Sequence, residues 1–260
     1  MNKKALQVFF QLLKRDLLIF KRDYWNKFLD TLIVFAVNVI VFGYFMQGEG
    51  LSKSFGPFLL IAAVGSFGLI EIVGKIGLFL SDMEGDRSIS QLLIMPIHSK
   101  FVFLYMGIFW AISSMLLAVL LFPMGKLLLW SNFDLSIISY SRLILIFFLS
   151  NLFFGSFALW LSSVIPGISG LNTLWLRYIV PLWMFGTYFF SWETAYTLHP
   201  IIGSLLLINP IVYVIEGMRA AALGQAGFLP FWISFLALCG FTLACAMHGI
   251  KRLVKRLDCV

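Results

Sequence analysis

Long apolar runs without charge constrain this chain more than any other feature. Residues 101–122 and 143–165 contain no charged side chain. A helix needs about 20 apolar residues to cross a hydrocarbon core of roughly 30 Å, since each residue rises about 1.5 Å. The runs are continuous and do not alternate with a period of two, which argues against the strands of an outer-membrane barrel. We therefore predict an all-α, polytopic membrane protein.

The composition supports this fold class. Hydrophobic residues make up 61% of the chain and charged residues only 12%, against roughly 25% charged in soluble domains. We predict one transmembrane domain over residues 1–260. Its six predicted spans are residues 28–46, 55–80, 101–122, 143–165, 171–188 and 228–250.

Residues 1–27 are predicted to form an amphipathic helix at the membrane interface. Apolar residues recur there at spacings of three and four: Leu6, Phe10, Leu13, Leu17, Phe20 and Tyr24. The lysines and arginines lie on other faces, where anionic headgroups would attract them. The alternative is a solvated coiled-coil segment.

A charged segment, residues 81–100, separates the second and third spans. Three charged residues fall within four positions: Glu84, Asp86 and Arg87. Apolar residues then follow at i, i+3 and i+4: Ile89, Leu92 and Leu93. This spacing predicts a short helix that Pro96 ends, with Ser88 and Gln91 facing away. A helix that is charged on one side and apolar on the other fits a groove on a soluble partner.

Residues 191–227 break the pattern of long spans. Polar residues and prolines interrupt apolar pieces that are too short to cross: Trp192, Glu193, His199, Pro200, Asn209, Pro210, Glu216 and Arg219. We predict two short helices that enter the membrane and return, because irregular backbone at that depth must be covered by protein or by a wet cavity.

Three ionisable residues lie within predicted spans. Glu71 and Lys75 are four apart, so they can pair on one helix face. They either have a role in transport, as intramembrane charges often do, or are solvated near the span end with Lys75 reaching the interface. Arg177 either reaches the interface or pairs with an acid on a neighbouring element.

The distribution of Lys and Arg predicts the orientation. Thirteen of the 19 lie in the N-terminal segment, in residues 81–100 and in the C-terminal tail, and four lie in the opposite connections. By the positive-inside rule both termini and the charged segment are cytoplasmic, in a plasma or inner membrane. The net charge of +7 is explained by this rule, so no nucleic-acid partner is predicted.

The sequence lacks the motifs of an enzyme. Neither a G-x-x-x-x-G-K-[ST] phosphate loop nor an H-E-x-x-H zinc motif occurs. Cys239, Cys245 and Cys259 have no metal-ligand spacing and are interpreted as membrane packing residues. We predict no catalytic residue, no metal site and no cofactor in this chain.

Two motifs and the order of the spans carry a family resemblance. Residues 84–97, EGDRSISQLLIMPI, approximate the pattern Arg-Glu-x-Gly-Thr-Leu-Glu-x-Leu-Leu-x-x-Pro-Ile, and residues 209–219, NPIVYVIEGMR, approximate Asn-Pro followed by Tyr, an acid and Arg. With an N-terminal amphipathic helix before six spans, the chain resembles the membrane subunits of the second type of ABC exporters. It departs from the pattern at Ser90, where an acid is common, and at Asp86 and Arg87, where small polar residues are usual.

The resemblance implies partners and roles for particular residues. Residues 84–96 would be a coupling helix on a cytoplasmic ABC ATPase subunit, which would bind ATP and Mg. The contact residues would be Glu84, Asp86, Arg87, Ser88, Gln91, Leu92, Leu93, Met95 and Pro96. Two copies, or close homologues, would enclose a path between their first, second and fifth spans within the membrane lipids. Candidates for the path or its gate are Glu71, Lys75, Arg177, Trp183, Tyr188, Glu216 and Arg219.

The resemblance implies a cargo class, and two other functions remain open. The cargo would be an amphiphile: a lipid-linked glycan, a lipid or a hydrophobic drug. A secondary transporter or channel without an ATPase would need charges near the membrane midplane and an inverted repeat. An intramembrane enzyme would need facing polar catalytic groups, which we do not find in the sequence.

Overall fold

A computed structural model describes residues 3–46, 52, 54–85, 88–95 and 97–257, and these contain helices and turns but no strand. The first helices are α1 (Lys3–Ile40), α2 (Phe55–Glu84), α3 (Ser88–Leu93), α4 (Ser99–Leu129) and α5 (Tyr140–Val164). They are followed by α6 (Leu171–Leu174), α7 (Val180–Met184), α8 (Trp192–Leu198), α9 (Pro200–Leu206), α10 (Pro210–Ala222) and α11 (Phe231–Leu257). Within the described residues five helices are long and apolar enough to cross a membrane, or six if the bent pair α9–α10 is one span. The predicted fold class is confirmed at this level.

Helix α1 is continuous where the sequence predicted two elements. No glycine or proline occurs between Lys3 and Ile40, so nothing breaks the helix at residue 27, and a π-helical turn (Val41–Phe45) extends it. At about 1.5 Å per residue its 38 residues span about 57 Å, which exceeds a core of roughly 30 Å. The expected separate interface helix is therefore the first part of one long helix.

One face of α1 packs along α4, and the two helices run in the same direction. Buried apolar residues recur along this face: Phe9, Leu12, Phe20, Phe28, Phe35 and Val39. The Tyr24 hydroxyl donates to the Leu116 carbonyl at 2.8 Å, and the Tyr44 hydroxyl donates to the Leu128 carbonyl. The N-terminal part of α1 is thus held by the protein itself.

Helix α4 continues seven residues past the predicted end of the third span. Pro123 lies inside it, where proline removes one backbone hydrogen bond. Membrane helices tolerate such prolines when neighbouring helices satisfy the freed backbone groups. Helices α4 and α5 approach closely at Gly155, where an added Cβ would lie 3.0 Å from the Ala111 Cβ and 3.1 Å from its nitrogen. Small residues allow this close packing.

The predicted fifth span, residues 171–188, is not one long helix. It consists of α6, a π-helical turn (Trp175–Ile179) and α7. At the end of the π-helical turn, the Val180 N–H donates to the Trp175 carbonyl. Pro181 cannot donate to the carbonyl four residues earlier, and π turns accommodate such interruptions. The 14 helical residues extend about 21 Å, short of the roughly 30 Å of hydrocarbon.

Residues 192–222 form three helices where two were predicted. Helices α8 and α9 are the two short ones, and α9 meets α10 at a bend of 97°. The Asn209 side chain caps α10 by accepting from the Ile211 N–H at 3.0 Å. All 13 residues of α10 are buried, so this helix lies in the core of the bundle.

Contacts define two ends of the bundle. At the first, the Arg256 guanidinium donates to the carbonyls of Ser162 and Ile165 at 3.0 and 2.7 Å, and the rings of Phe9 and Tyr105 are 6.2 Å apart. We call this the termini end, because it carries the start of α1, the α2–α4 connection and the end of α11. We call the other end, where the Ser139 N–H donates to the Ala221 carbonyl at 2.9 Å, the re-entrant end.

Candidate coupling surface and translocation-path residues

Helix α3 lies at the termini end and packs on the protein through its apolar side. Leu92, Leu93 and Met95 contact a small core formed by α1, α4 and the connection just before α4. This core consists of Phe9, Leu12, Ile97, Val102 and Tyr105. Leu92 and Leu93 are half-buried there, which places them beneath the helix rather than on its outer face. That Leu92 and Leu93 contact an ATPase stays a prediction; in the structure their packing holds α3 on α1 and α4.

The turn directly after α3 presents an apolar residue that is not among the predicted contacts. Ile94 is 83% exposed, and Gln91 is also exposed. Ile94 falls outside the i, i+3, i+4 set of Ile89, Leu92 and Leu93, so the helical period itself predicts that it points away from them. Of the other predicted contacts, Asp86, Arg87 and Pro96 lie outside the described residues, as does the side chain of Ser88.

Glu84 connects α2 to the turn that follows α5. Its Oε1 accepts from the Ile168 N–H at 3.0 Å, although the side chain is exposed. Two residues earlier, the Asp82 carboxylate accepts from the Ile89 N–H at 2.9 Å. The end of α2 therefore holds both α3 and the turn that begins the 171–184 helical segment.

The predicted Glu71–Lys75 ion pair is confirmed, at 3.5 Å. Lys75 Nζ also donates to the Trp110 carbonyl at 3.0 Å and to the hydroxyls of Ser113 and Ser114 at 2.7 and 2.8 Å. The Lys75 side chain is only 12% exposed. The snorkelling interpretation is wrong, because the ammonium group is directed at α4. Its two serine partners are 38 and 39 residues away along the chain, and no sequence pattern indicates them.

Arg219 is fully buried at the re-entrant end, although the charge count assigned it to an outer connection. Its guanidinium donates to the carbonyls of Thr187 and Tyr188 at 2.6 and 2.7 Å and to that of Phe190 at 3.1 Å. The same group lies 3.4 Å from the centroid of the Phe58 ring. One side chain thereby fixes the turn before α8 onto the start of α2.

Glu216 is the acid partner of Arg219, at 3.6 Å and with neither side chain exposed. Its two oxygens accept from the N–H groups of Trp192 and Leu229, at 3.1 and 3.0 Å. A buried carboxylate is tolerated only when it is paired and hydrogen-bonded, and here both conditions hold. The pair ties together the starts of α8 and α11, and it is the part of the 209–219 motif that organises this end.

Trp183 and Tyr188 lie against the same turn. Their rings are 4.6 Å apart, and Tyr188 is 4% exposed. The Trp183 indole N–H is buried and has no hydrogen-bond partner within the described residues. Their contacts make both residues part of the packing around Arg219.

Arg177 is separate from these networks. It is exposed, it lies in the π-helical turn between α6 and α7, and it forms no ion pair in the described part of the chain. It borders a cavity of about 1000 Å³ between α5, the 171–184 segment, α9 and α11. The two alternatives for Arg177, an acid on a neighbouring element and the membrane interface, stay predictions.

A second cavity of about 580 Å³ lies at the re-entrant end, beside the ring of Phe58. Asp134 lines it together with Thr194 and Phe228. A hydrogen bond from the Ser136 backbone, aided by its hydroxyl, lowers the pKa of the Asp134 carboxyl. This cavity is bordered by the turn that Arg219 holds.

Comparison with known proteins gives one family match. A family model described as ABC-2 type transporter matches residues 7–223 of the chain, which include α3, the Glu71–Lys75 pair and the Glu216–Arg219 pair. No curated protein matches the chain. No solved structure matches it either.

Proposed function

The chain belongs to the ABC-2 type transporter family, and from this membership we propose that it is the membrane subunit of an ATP-driven exporter. Two copies form the pathway, and each docks a separate cytoplasmic ABC ATPase subunit that binds ATP and Mg. The cargo is an amphiphile, either a lipid-linked glycan, a lipid or a hydrophobic drug, which leaves the cytoplasm or the inner leaflet. Both termini and α3 face the cytoplasm.

The observation that carries this proposal is the outer face of α3. Ile94, in the turn at the C-terminal end of α3, has 83% of its surface exposed. Gln91 on α3 is also exposed, whereas the other side of this short helix is already packed. A large exposed apolar side chain is an anchor that a groove on a soluble protein can bind. We propose that Ile94 is this anchor.

The contacts beneath α3 supply a route for force. A push on α3 acts through Leu92 and Leu93 on the first turns of α1 and α4. Because Glu84 also bonds to Ile168, the same push reaches the 171–184 segment. A lever of this kind works only if two states of the bundle differ in contacts, and the short, π-interrupted segment is the element best suited to shift.

The burial of charge supports a pathway between two copies rather than within one. The Glu71–Lys75 and Glu216–Arg219 pairs are satisfied inside the single bundle, so they stabilise it and do not line an open route. By contrast, α1 exposes a row of large apolar residues: Trp25, Leu29, Ile33, Val34, Val37 and Phe45. Such a face suits lipid, cargo or a second copy.

The alternative of a secondary transporter or channel requires ionisable groups that are open to a path through one bundle. Lys75 and Arg219 instead donate to the protein's own hydroxyl and carbonyl oxygens. This arrangement favours the ATPase-dependent function.

Co-purification with a cognate ABC ATPase tests the proposal. We expect the ATPase to co-purify with the wild type, and its ATP turnover to depend on the membrane subunit. Ile94→Asp should abolish both the capture and the stimulated turnover, because a carboxylate cannot enter an apolar groove. Ile137→Asp is the matched control, since Ile137 is 55% exposed near the re-entrant end, and it should leave capture unchanged.

Two outcomes would refute the proposal. One is equal capture of the ATPase by wild type and Ile94→Asp, and the other is cargo movement that is independent of ATP. Photo-crosslinking of the complex in its native membrane, followed by identification of the captured molecule, would decide among the three cargo classes.

A further inference from the structure

One cavity is a groove lined by a cation, Arg177, that forms no ion pair within the described residues. We call it the Arg177 groove; its walls are α5, the 171–184 segment, α9, the start of α10 and α11, and its volume is about 1000 Å³. This volume is at the upper limit of the roughly 300–1,000 Å³ typical of ligand pockets. Several wall residues are more than half exposed, among them Tyr178 at 56%, Phe185 at 61% and Leu205 at 59%. The space is therefore open along one side, toward whatever surrounds the bundle.

The two basic residues of the groove, Arg177 and His248, lie toward the termini end. His248 lies on α11 next to Gly249, and Gly249 is close to α5, since an added Cβ there would lie 2.8 Å from the Trp160 nitrogen. Phe241, earlier on α11, instead lies near the re-entrant helices, where its ring is 5.9 Å from that of Tyr213. On the facing wall, the Leu182 carbonyl accepts from the Asn209 amide at 2.7 Å, and Arg177 lies five residues before Leu182. Arg177 and His248 are thus displaced in the same direction, away from α9 and α10.

The charge of the groove is one-sided. Arg177 and His248 line it, and no aspartate or glutamate among the described residues does so. Arginine remains protonated in proteins, and a cation at membrane depth needs a counter-ion or a path to the interface. Arg177 is six residues from the start of α6, about 9 Å by helical rise, so its side chain can reach the headgroup region of a bilayer.

We propose that the Arg177 groove holds an anionic phospholipid, with its phosphate on Arg177 and an acyl chain along Phe157, Phe241 and Phe185. Only the choice of leaflet rests on the proposed function, whose orientation of the chain places this lipid in the cytoplasmic leaflet. The apolar walls require a hydrocarbon chain, so a free phosphate would not fill the groove. Juxtamembrane cations attract anionic headgroups.

A second copy of the chain is a poorer occupant of the groove. A two-fold interface places the same patch on both partners, so it would bring Arg177 toward Arg177 without an acid from the groove of either copy. The phospholipid supplies the missing negative charge.

Native mass spectrometry of the purified chain with its ATPase partner tests the site. The complex is titrated with dioleoyl phosphatidylglycerol or with dioleoyl phosphatidylcholine, which has the same acyl chains and no net charge. We expect one phosphatidylglycerol per chain to be retained, with at least fivefold preference over phosphatidylcholine. Arg177→Gln should remove the preference, and Arg177→Lys should restore most of it.

Two further variants distinguish the contribution of the Arg177 charge to lipid binding from that of the space in the groove. Ala244→Trp, at an exposed wall position, should weaken both lipids by filling the space while leaving Arg177 in place. Arg252→Gln removes an exposed charge from the same helix outside the groove and should leave the preference unchanged.

Equal retention of the two lipids by the wild type would overturn the proposal. So would a change in the number of chains per complex, without a change in lipid binding, when Arg177 is replaced. Co-purification of the ATPase is followed in the same experiment. Retained lipid without a co-purified ATPase would contradict the proposed function and would not contradict the proposed lipid site. Retained ATPase without lipid preference would contradict only the groove.

Discussion

The Glu216–Arg219 pair gives the sharpest test of how the re-entrant end is held. We consider Arg219→Met, Glu216→Gln and the double variant. Both side chains have no exposed surface, so neither charge is solvated by water when its partner is removed. Arg219→Met deletes the donor that serves the carbonyls of Thr187, Tyr188 and Phe190 and leaves the Glu216 carboxylate without its cation.

The expected size follows from this geometry. Removal of one partner of a buried ion pair costs about 3–5 kcal/mol, because the remaining charge is uncompensated. In Glu216→Gln, the Nε2 amide of the glutamine is itself a donor and faces the N–H of Trp192 or of Leu229. The loss in free energy of unfolding for this variant should fall in the same range. The double variant removes both charges, so its loss should be about 2–3 kcal/mol smaller than the sum of the single losses.

The free energy of unfolding is measured in mixed micelles by titration with sodium dodecyl sulfate, followed by circular dichroism. Hydrogen exchange at the amides of Trp192 and Leu229 gives a local reading. A loss of about 3 kcal/mol corresponds to more than a hundredfold faster exchange, since 1.4 kcal/mol is a factor of ten. Arg142→Met is the control: Arg142 is exposed and only stacks on Phe231 at 5.6 Å, so it should cost no more than about 1 kcal/mol.

Strict additivity of the two single variants would refute the argument that these charges act as one unit. Losses below about 1 kcal/mol for both single variants would show that water or lipid compensates the remaining charge, contrary to the burial in the structure.

Two further variants test the packing of the spans. Lys75→Met should lower the free energy of unfolding by at least about 2 kcal/mol, because the two serines lose hydrogen bonds from a charged donor, which are worth about 1.5–3 kcal/mol each. The control Lys27→Met, at an exposed position on α1, should have little effect. Similar losses for both variants would contradict the contact of Lys75 with α4. Gly155→Val should destabilise the protein by about 3 kcal/mol or more, because a Cβ at this position meets Ala111. The control Gly240→Val should be tolerated, because an added Cβ there has no neighbouring atom within 4 Å. Equal stability of the two variants would show that α4 and α5 can separate without cost.

The sequence predicted the long spans because their apolar runs are continuous. The second, third, fourth and last predicted spans overlap α2, α4, α5 and α11, with ends that differ by up to seven residues. These differences have local causes. Pro123 does not end α4, since the surrounding bundle tolerates it, and α1 has no break because its sequence has no glycine or proline.

The contacts of the candidate site could not be predicted from periodicity. The Lys75 partners Ser113 and Ser114 are 38 and 39 residues away, and Arg219 binds backbone carbonyls, which carry no sequence signal. Its position in the motif suggested a role, but its burial depends on how the turn at 187–190 folds back over α10. Ile94 was predictable in principle, because the spacing that assigned Leu92 and Leu93 to one face assigns Ile94 to the other.

The central claim is that a cytoplasmic ATPase drives this bundle through the outer face of α3. Site-specific photo-crosslinking is the test, with a photoreactive amino acid at Gln91, at Ile94 and, as a control, at Ile137, in membranes that contain the cognate ATPase. We expect crosslinks to the ATPase from Gln91 and Ile94 and none from Ile137. A crosslink from Ile137 with none from Gln91 or Ile94 would contradict this mechanism.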